Sequence, residues 1–142
     1  MGTMETTATS ATSGESPDTV FEVTLEGAPM VDLAPEIHRQ RLVIEGIPTA
    51  SISDLAIADY LVGLSDVCGM VTLTEPVTHR SDRFGWAGWI HWETSGAHFY
   101  AWDEPRLFFS VDVYTCKAFD PIAAITYTER YFDAEQIVAK EF

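Results

Sequence analysis

The sequence predicts an α+β fold, an antiparallel β-sheet packed on one face by two helices. Three observations predict it. Two stretches carry apolar residues at helical spacing, each opened by a capping residue. The apolar runs around them are short, rich in aromatic and β-branched residues, and divided by turn residues, as successive hairpin strands are. The chain has 142 residues, 46% of them hydrophobic and 12% aromatic, enough for one domain with one core.

Taken in order, residues 1–20 (MGTMETTATSATSGESPDTV) hold almost no large apolar side chain, so nothing there offsets the entropy of ordering. Phe21, Val23 and Leu25 alternate like a strand, but Gly27, Pro29 and Pro35 limit the stretch to a short edge element. Residues 1–36 are therefore read as a disordered or loosely ordered tail and 37–142 as the compact domain. Arg41–Glu45 (RLVIE) is a short strand stopped by Gly46 and Pro48. Ser51 or Ser53 caps a helix in which Ile57, Tyr60, Leu61, Leu64 and Cys68 share a face, and Gly69 ends it. Met70–Thr74 reads as a strand and Glu75–Arg83 as a polar loop. Phe84–Trp92 (FGWAGWIHW) places Phe84, Trp86, Ile90 and Trp92 on one face, while Gly85, Ala87 and Gly88 point to close backbone approach or a bulge. Ala97–Trp102 and Leu107–Thr115 are two further strands joined by Asp103-Glu104-Pro105-Arg106. Asp120-Pro121 opens the second helix, which runs to about Phe132, and Gln136–Phe142 is the last strand.

Composition narrows the function. With 22 acidic residues against 8 basic ones, and Lys117 and Lys140 as the sole lysines, the net charge is −14. Such a surface repels phosphate backbones and anionic lipid, so neither nucleic acid nor membrane is expected as a partner; a small cationic ligand suits it. No apolar run approaches the roughly 18–20 residues of a membrane span. Met1–Thr19 lacks the basic and apolar regions of a secretory signal, so a cytoplasmic setting with reduced thiols is expected. Two cysteines, Cys68 and Cys116, are too few for a disulfide framework or a cysteine-built zinc site. His91 and His98 lie on adjacent strands without a third ligand at clear spacing, so no metal is expected. Trp86, Trp89, Trp92, Trp102, Phe99, Phe108 and Phe109 make an aromatic-rich sheet that serves as core, as a dimer interface, or as a stacking surface for an adenine.

The segment Thr94–Cys116 (TSGAHFYAWDEPRLFFSVDVYTC) resembles the prokaryotic S-adenosylmethionine decarboxylase family. There the processing site is Glu-Ser-His, followed by a strand ending His-Thr-Trp-Pro-Glu and later by Leu-Asp-Val-Phe-Thr-Cys ahead of an Asp-Pro helix start. Here Thr94-Ser95 stands at the processing site, Ala101-Trp102-Asp103-Glu104 at the end of that strand, Val111-Asp112-Val113-Tyr114-Thr115-Cys116 at the cysteine strand, and Asp120-Pro121 at the helix. Trp102 to Cys116 is one residue longer than in the family. Arg41–Glu45 looks like the family's first strand, and His79-Arg80 like its His-Arg pair.

The resemblance implies a homodimeric enzyme that cuts itself between Thr94 and Ser95. Ser95 then becomes a pyruvoyl group, the protein-derived cofactor that decarboxylates S-adenosylmethionine for spermidine synthesis. Cys116 matches the proton donor. Glu104 and Trp102 match substrate-binding positions, as do His79 and Arg80, whose other reading is a solvated pair in a polar loop. Thr94 replaces the family's glutamate, Gly96 its histidine, Tyr100 its processing histidine, and Ala87 a serine that helps the acyl shift. His98, two residues from Tyr100 and so on the same strand face, is the candidate substitute, with Tyr100 itself as assistant. These departures leave two alternatives: an uncleaved, non-catalytic homologue that binds S-adenosylmethionine or a partner protein, and a decarboxylase turned to arginine or ornithine.

Overall fold

The computed structural model describes residues 6–10, 19–23 and 31–142, divided into two units, 1–36 and 37–142. In the first unit β1 (Thr6–Ser10) pairs antiparallel with β2 (Thr19–Val23), Thr6 opposite Val23. The tail expected over 1–36 otherwise falls largely outside the described residues.

The second unit runs β3 (Gln40–Ile47), α1 (Asp54–Val67), β4 (Val77–Arg80), β5 (Trp86–Trp92), β6 (Ser95–Trp102), β7 (Phe108–Thr115), α2 (Pro121–Phe132) and β8 (Gln136–Glu141). Its six strands form one antiparallel sheet in the order β4-β5-β6-β7-β3-β8. Both helices lie on one face. Strand alternation decides which side chains they cover: Leu42, Ile44, Ile90, Trp92, Ala97, Phe99, Phe109, Val111 and Val113 are all buried there. Against them α1 sets Ile57, Tyr60, Leu61 and Leu64, and α2 sets Ala124 and Phe132. Intervening residues, among them Arg41, Trp89, His98, Tyr100, Asp112 and Tyr114, lie on the opposite face, which no element of this unit covers.

Local chemistry fixes both helix starts. Ser53 caps α1, its hydroxyl accepting from Ala56 N–H at 3.2 Å, while Ser51 instead donates to Asp103 Oδ1 at 2.6 Å. Asp120 caps α2 by accepting from Ile122 and Ala123, with Pro121 in the first turn. Gly69 takes φ 68° just past Cys68, the residue that caps the C-terminus of α1, a conformation that favours glycine.

Two expectations are corrected. Met70–Thr74 forms no strand; it touches β5 through the single bridge Thr72–Trp92, supported by Leu73 N–H to His91 O and Glu93 N–H to Val71 O. The edge strand is instead β4, inside the segment read as a loop. Between Thr72 and Val77 the chain spans two more residues than β5 does between Trp92 and Trp89, so it must bulge. Pro76 lies in that bulge and has no N–H for a ladder.

Candidate active site

The site grows from the hairpin between β5 and β6. Trp92 and Ser95 are paired, so Glu93 and Thr94 are the whole turn. On the other side of β6, Ser95 pairs with Thr115, which brings Cys116 at the end of β7 beside Thr94. Cys116 N–H donates to Thr94 O at 2.9 Å. The buried Thr115 hydroxyl donates to Thr94 Oγ1 at 3.0 Å and accepts from Lys117 N–H at 3.1 Å, and Thr94 Oγ1 contacts Met70 Sδ at 3.4 Å. Ser95 itself has φ 127°, sparsely populated for a residue with a side chain and costing roughly 1–3 kcal/mol. Gly96 follows because a Cβ there would run into the Ile90 carbonyl oxygen, so this backbone has no room for a larger residue.

Ser95 and Gly96 line a cavity of about 240 Å³ on the uncovered face, together with Trp89, His91, His98, Asp112 and Tyr114. His98 stands directly across from Asp112. Arg41 grips that carboxylate with two bonds, Nε to Oδ1 at 3.0 Å and a terminal guanidinium nitrogen to Oδ2 at 2.8 Å. The hydrogen bond, then the charge, of Asp112 raises the Arg41 pKa above its ordinary value. Trp89 and His91 meet edge to face at 4.6 Å, and His98 and Tyr100 lie nearly parallel at 6.3 Å. Cys116 is an exposed thiol; Cys68 is buried, and desolvation, helped by the Asp120 charge, pushes its thiol up to about 12. Cys68 is a core residue and Cys116 the available one.

Ser95 and His98 thus share one cavity, and Thr94 and Cys116 are bonded beside it. Tyr100 is on the same face, further along β6. Trp102 and Glu104 are not brought in. Trp102 ends β6, seven residues from Ser95 or roughly 23 Å along a strand, where it packs on Phe108 at 5.2 Å. His79 and Arg80 lie on edge strand β4: His79 is opposite Ala87, and the Arg80 guanidinium sits 5.9 Å over the Trp86 ring. Asp112, Tyr114 and Trp89 were not expected as site residues. Counting back in twos from Cys116 puts Tyr114 and Asp112 on its face, a signal present in the sequence once the strand is assigned. Among the described residues no group of three His, Cys, Asp or Glu is placed to hold a metal ion.

A sequence model of the S-adenosylmethionine decarboxylase family matches residues 44–142. The fold is that of the adenosylmethionine decarboxylase from Aquifex aeolicus VF5, whose crystal structure superposes with a TM-score of 0.60 at 19% identity, over 75% of this chain and 89% of that one. No curated protein matches the sequence.

Proposed function

We propose, from the premise that this chain belongs to the S-adenosylmethionine decarboxylase family, that it cuts itself between Thr94 and Ser95 and then decarboxylates S-adenosylmethionine. One observation carries the reading. The turn holding the Thr94–Ser95 peptide opens on a cavity, and the hydrogen bond from Cys116 ties the candidate cut to the candidate proton donor.

In the self-cleavage, Ser95 Oγ adds to the Thr94 carbonyl carbon and the C–N bond breaks, so the chain continues through an ester. The hydroxyl proton ends on the freed Ser95 amine. Loss of the Ser95 α-proton then releases the Thr94 carboxylate, and water displaces the nitrogen as ammonia to leave a ketone. The residues around Ser95 fit a group of that size, since it is built from Ser95 itself at the cavity wall. When present, the pyruvoyl ketone supplies an electron sink for the pair left as carbon dioxide departs. This chain's own residues do the rest. Cys116, exposed at the end of β7, returns a proton to the substrate carbon, and His98 or Tyr100 moves a proton during cleavage. Trp89 and His91 offer aromatic surface for the substrate. Trp102, Glu104, His79 and Arg80 are proposed as substrate contacts, and they reach a site at Ser95 only with help from another copy. The product is the aminopropyl donor for spermidine, made in the cytoplasm.

A homodimer is part of the proposal. The uncovered sheet face carries Trp89, Tyr100, Trp102, Phe108 and Tyr114, more aromatic surface than a solvated face uses, and a second copy is the proposed cover. Sedimentation at twice the chain mass is expected, and Trp89→Glu should return a single chain. A monomer across micromolar concentrations refutes this part.

One observation favours a second reading. Ala87 and Tyr100 face each other across β5 and β6, so that row offers a methyl and a phenol where the family has a hydroxyl and an imidazole. The protein would then bind S-adenosylmethionine or a partner protein, uncut. Intact mass decides: pieces of 94 and 48 residues, the shorter one blocked at its start, and none from Ser95→Ala, are expected. A single chain that stays whole for days across pH leaves the binding protein.

A further inference from the structure

The turn at Thr94–Ser95 is held more firmly than a hairpin turn needs to be. Glu93 N–H is tied to Val71 O at 2.9 Å from one side, and Thr94 O accepts from Cys116 N–H at 2.9 Å from the other. The Thr94 side chain is fixed as well, by the Thr115 hydroxyl, which is wholly buried and is itself held by Lys117 N–H. The peptide thus locked begins a residue at φ 127°. A ladder bond that merely closes a sheet does not require the next residue to leave the allowed regions. A clamp on a reacting carbonyl, with strain stored at the attacking residue, combines the two.

We infer that the main-chain N–H of Cys116 is the oxyanion donor for the self-cleavage, with Thr115 as the positioning residue that fixes Thr94 against it. The inference rests on the proposed cleavage. When Ser95 Oγ adds to the Thr94 carbonyl carbon, the C=O electron pair moves onto oxygen, and that oxygen already sits at donor distance from a pre-aligned amide. As the C–N bond breaks, the pair returns and the ester carbonyl keeps the same partner. No side chain supplies this charge stabilisation, so it survives the exchange of the family's glutamate for Thr94 and of its serine for Ala87. It also gives Cys116 two separate uses, the amide before the cut and the thiol after it.

The test removes one hydrogen atom. An α-hydroxy acid incorporated at position 116 during translation turns the 115–116 amide into an ester, and the control carries the same side chain on an ordinary amide. Both are followed by intact mass, with near-ultraviolet circular dichroism to show that each is folded. Cleavage about 100-fold slower in the ester form is expected, the loss typical of one oxyanion donor. Equal rates overturn the inference and leave the cleavage reading standing. No cleavage in the natural protein overturns both. If the ester form does not fold, Thr115 decides: Thr115→Ser should cut at the natural rate and Thr115→Val at least about 10-fold slower, and equal rates for the two overturn the inference.

Discussion

Ser65 lies on the buried face of α1, where an apolar side chain is the ordinary occupant, and its hydroxyl is used twice. It donates to Leu61 O and accepts from the indole N–H of Trp92, both at 2.7 Å. Trp92 is 1% exposed and sits at the strand position that leads into the Glu93–Thr94 turn, so this bond seats the turn from below. Ser65→Ala leaves the indole N–H without a partner in the core. The cost should be about 1–3 kcal/mol, read as a lower denaturation midpoint at unchanged slope. An unchanged midpoint would mean that the indole finds another acceptor. At this scale the sequence was legible where a residue type is rare in its pattern: Ser95 and Cys116 stand out beside a motif, and Cys68 falls on an apolar stripe. The contacts of Thr115 with Thr94 and of Ser65 with Trp92 were not legible. Both depend on which strand positions end up opposite one another, and pairwise register is not written in either segment alone.

Elements were read best where their signals are local. The caps Ser53 and Asp120, the 3.6-residue stripe of α1 and the turn between β6 and β7 are each set by neighbours in sequence. β4 was missed because its pairing is supplied by β5, not by its own composition: Val77, Thr78, His79 and Arg80 carry little apolar surface, and the preceding Pro76 reads as a breaker. The reverse error at Met70–Thr74 has the same origin, since a run of strand-forming residues forms a strand only where a free edge is in step with it. Gly88 shows how tightly α1 is seated on β5. A Cβ there would meet Ile57 Cγ2 at 2.6 Å, and Ile57 is fully buried with no space to retreat. Gly88→Ala should therefore destabilise by about 1–3 kcal/mol despite alanine's better strand propensity. A neutral or stabilising effect in denaturant titration would show that the helix can slide.

For the molecule as a whole, the titrating groups held in the core and packed against it make alkaline pH the weak side. Burial pushes the Cys68 thiol up to about 12, and burial together with the Asp59 carboxylate does the same for the Tyr131 phenol. Burial raises Tyr60 and Tyr127 as well. An unfolded chain releases these protons from about pH 8.5 for the thiol and about pH 10 for the phenols, so above that range it binds fewer protons than the folded one. Stability from these groups is intact below about pH 8.5 and falls as pH climbs toward 12. Thermal midpoints should be level for these groups from pH 7 to 8.5 and drop steeply by pH 10.5, with Cys68→Val removing the earliest part of the drop. An equal slope on both sides of pH 9 would contradict this.

The strand order has a consequence for a severed chain. A break after Thr94 leaves β3, β4, β5 and α1 in one piece and β6, β7, β8 and α2 in the other. In the sheet β3 is flanked by β7 and β8, and β5 reaches β3 only across β6 and β7, so the pieces interlock like the fingers of two hands. Neither can leave intact or find its place alone. The unbroken chain carries all six strands of the sheet, but a severed one would fold as an encounter between two molecules. Its melting temperature then rises with concentration, and simple dilution acts as a denaturant. Under the proposed cleavage, assembly would have to come before the cut, and the cut would make it hard to repeat.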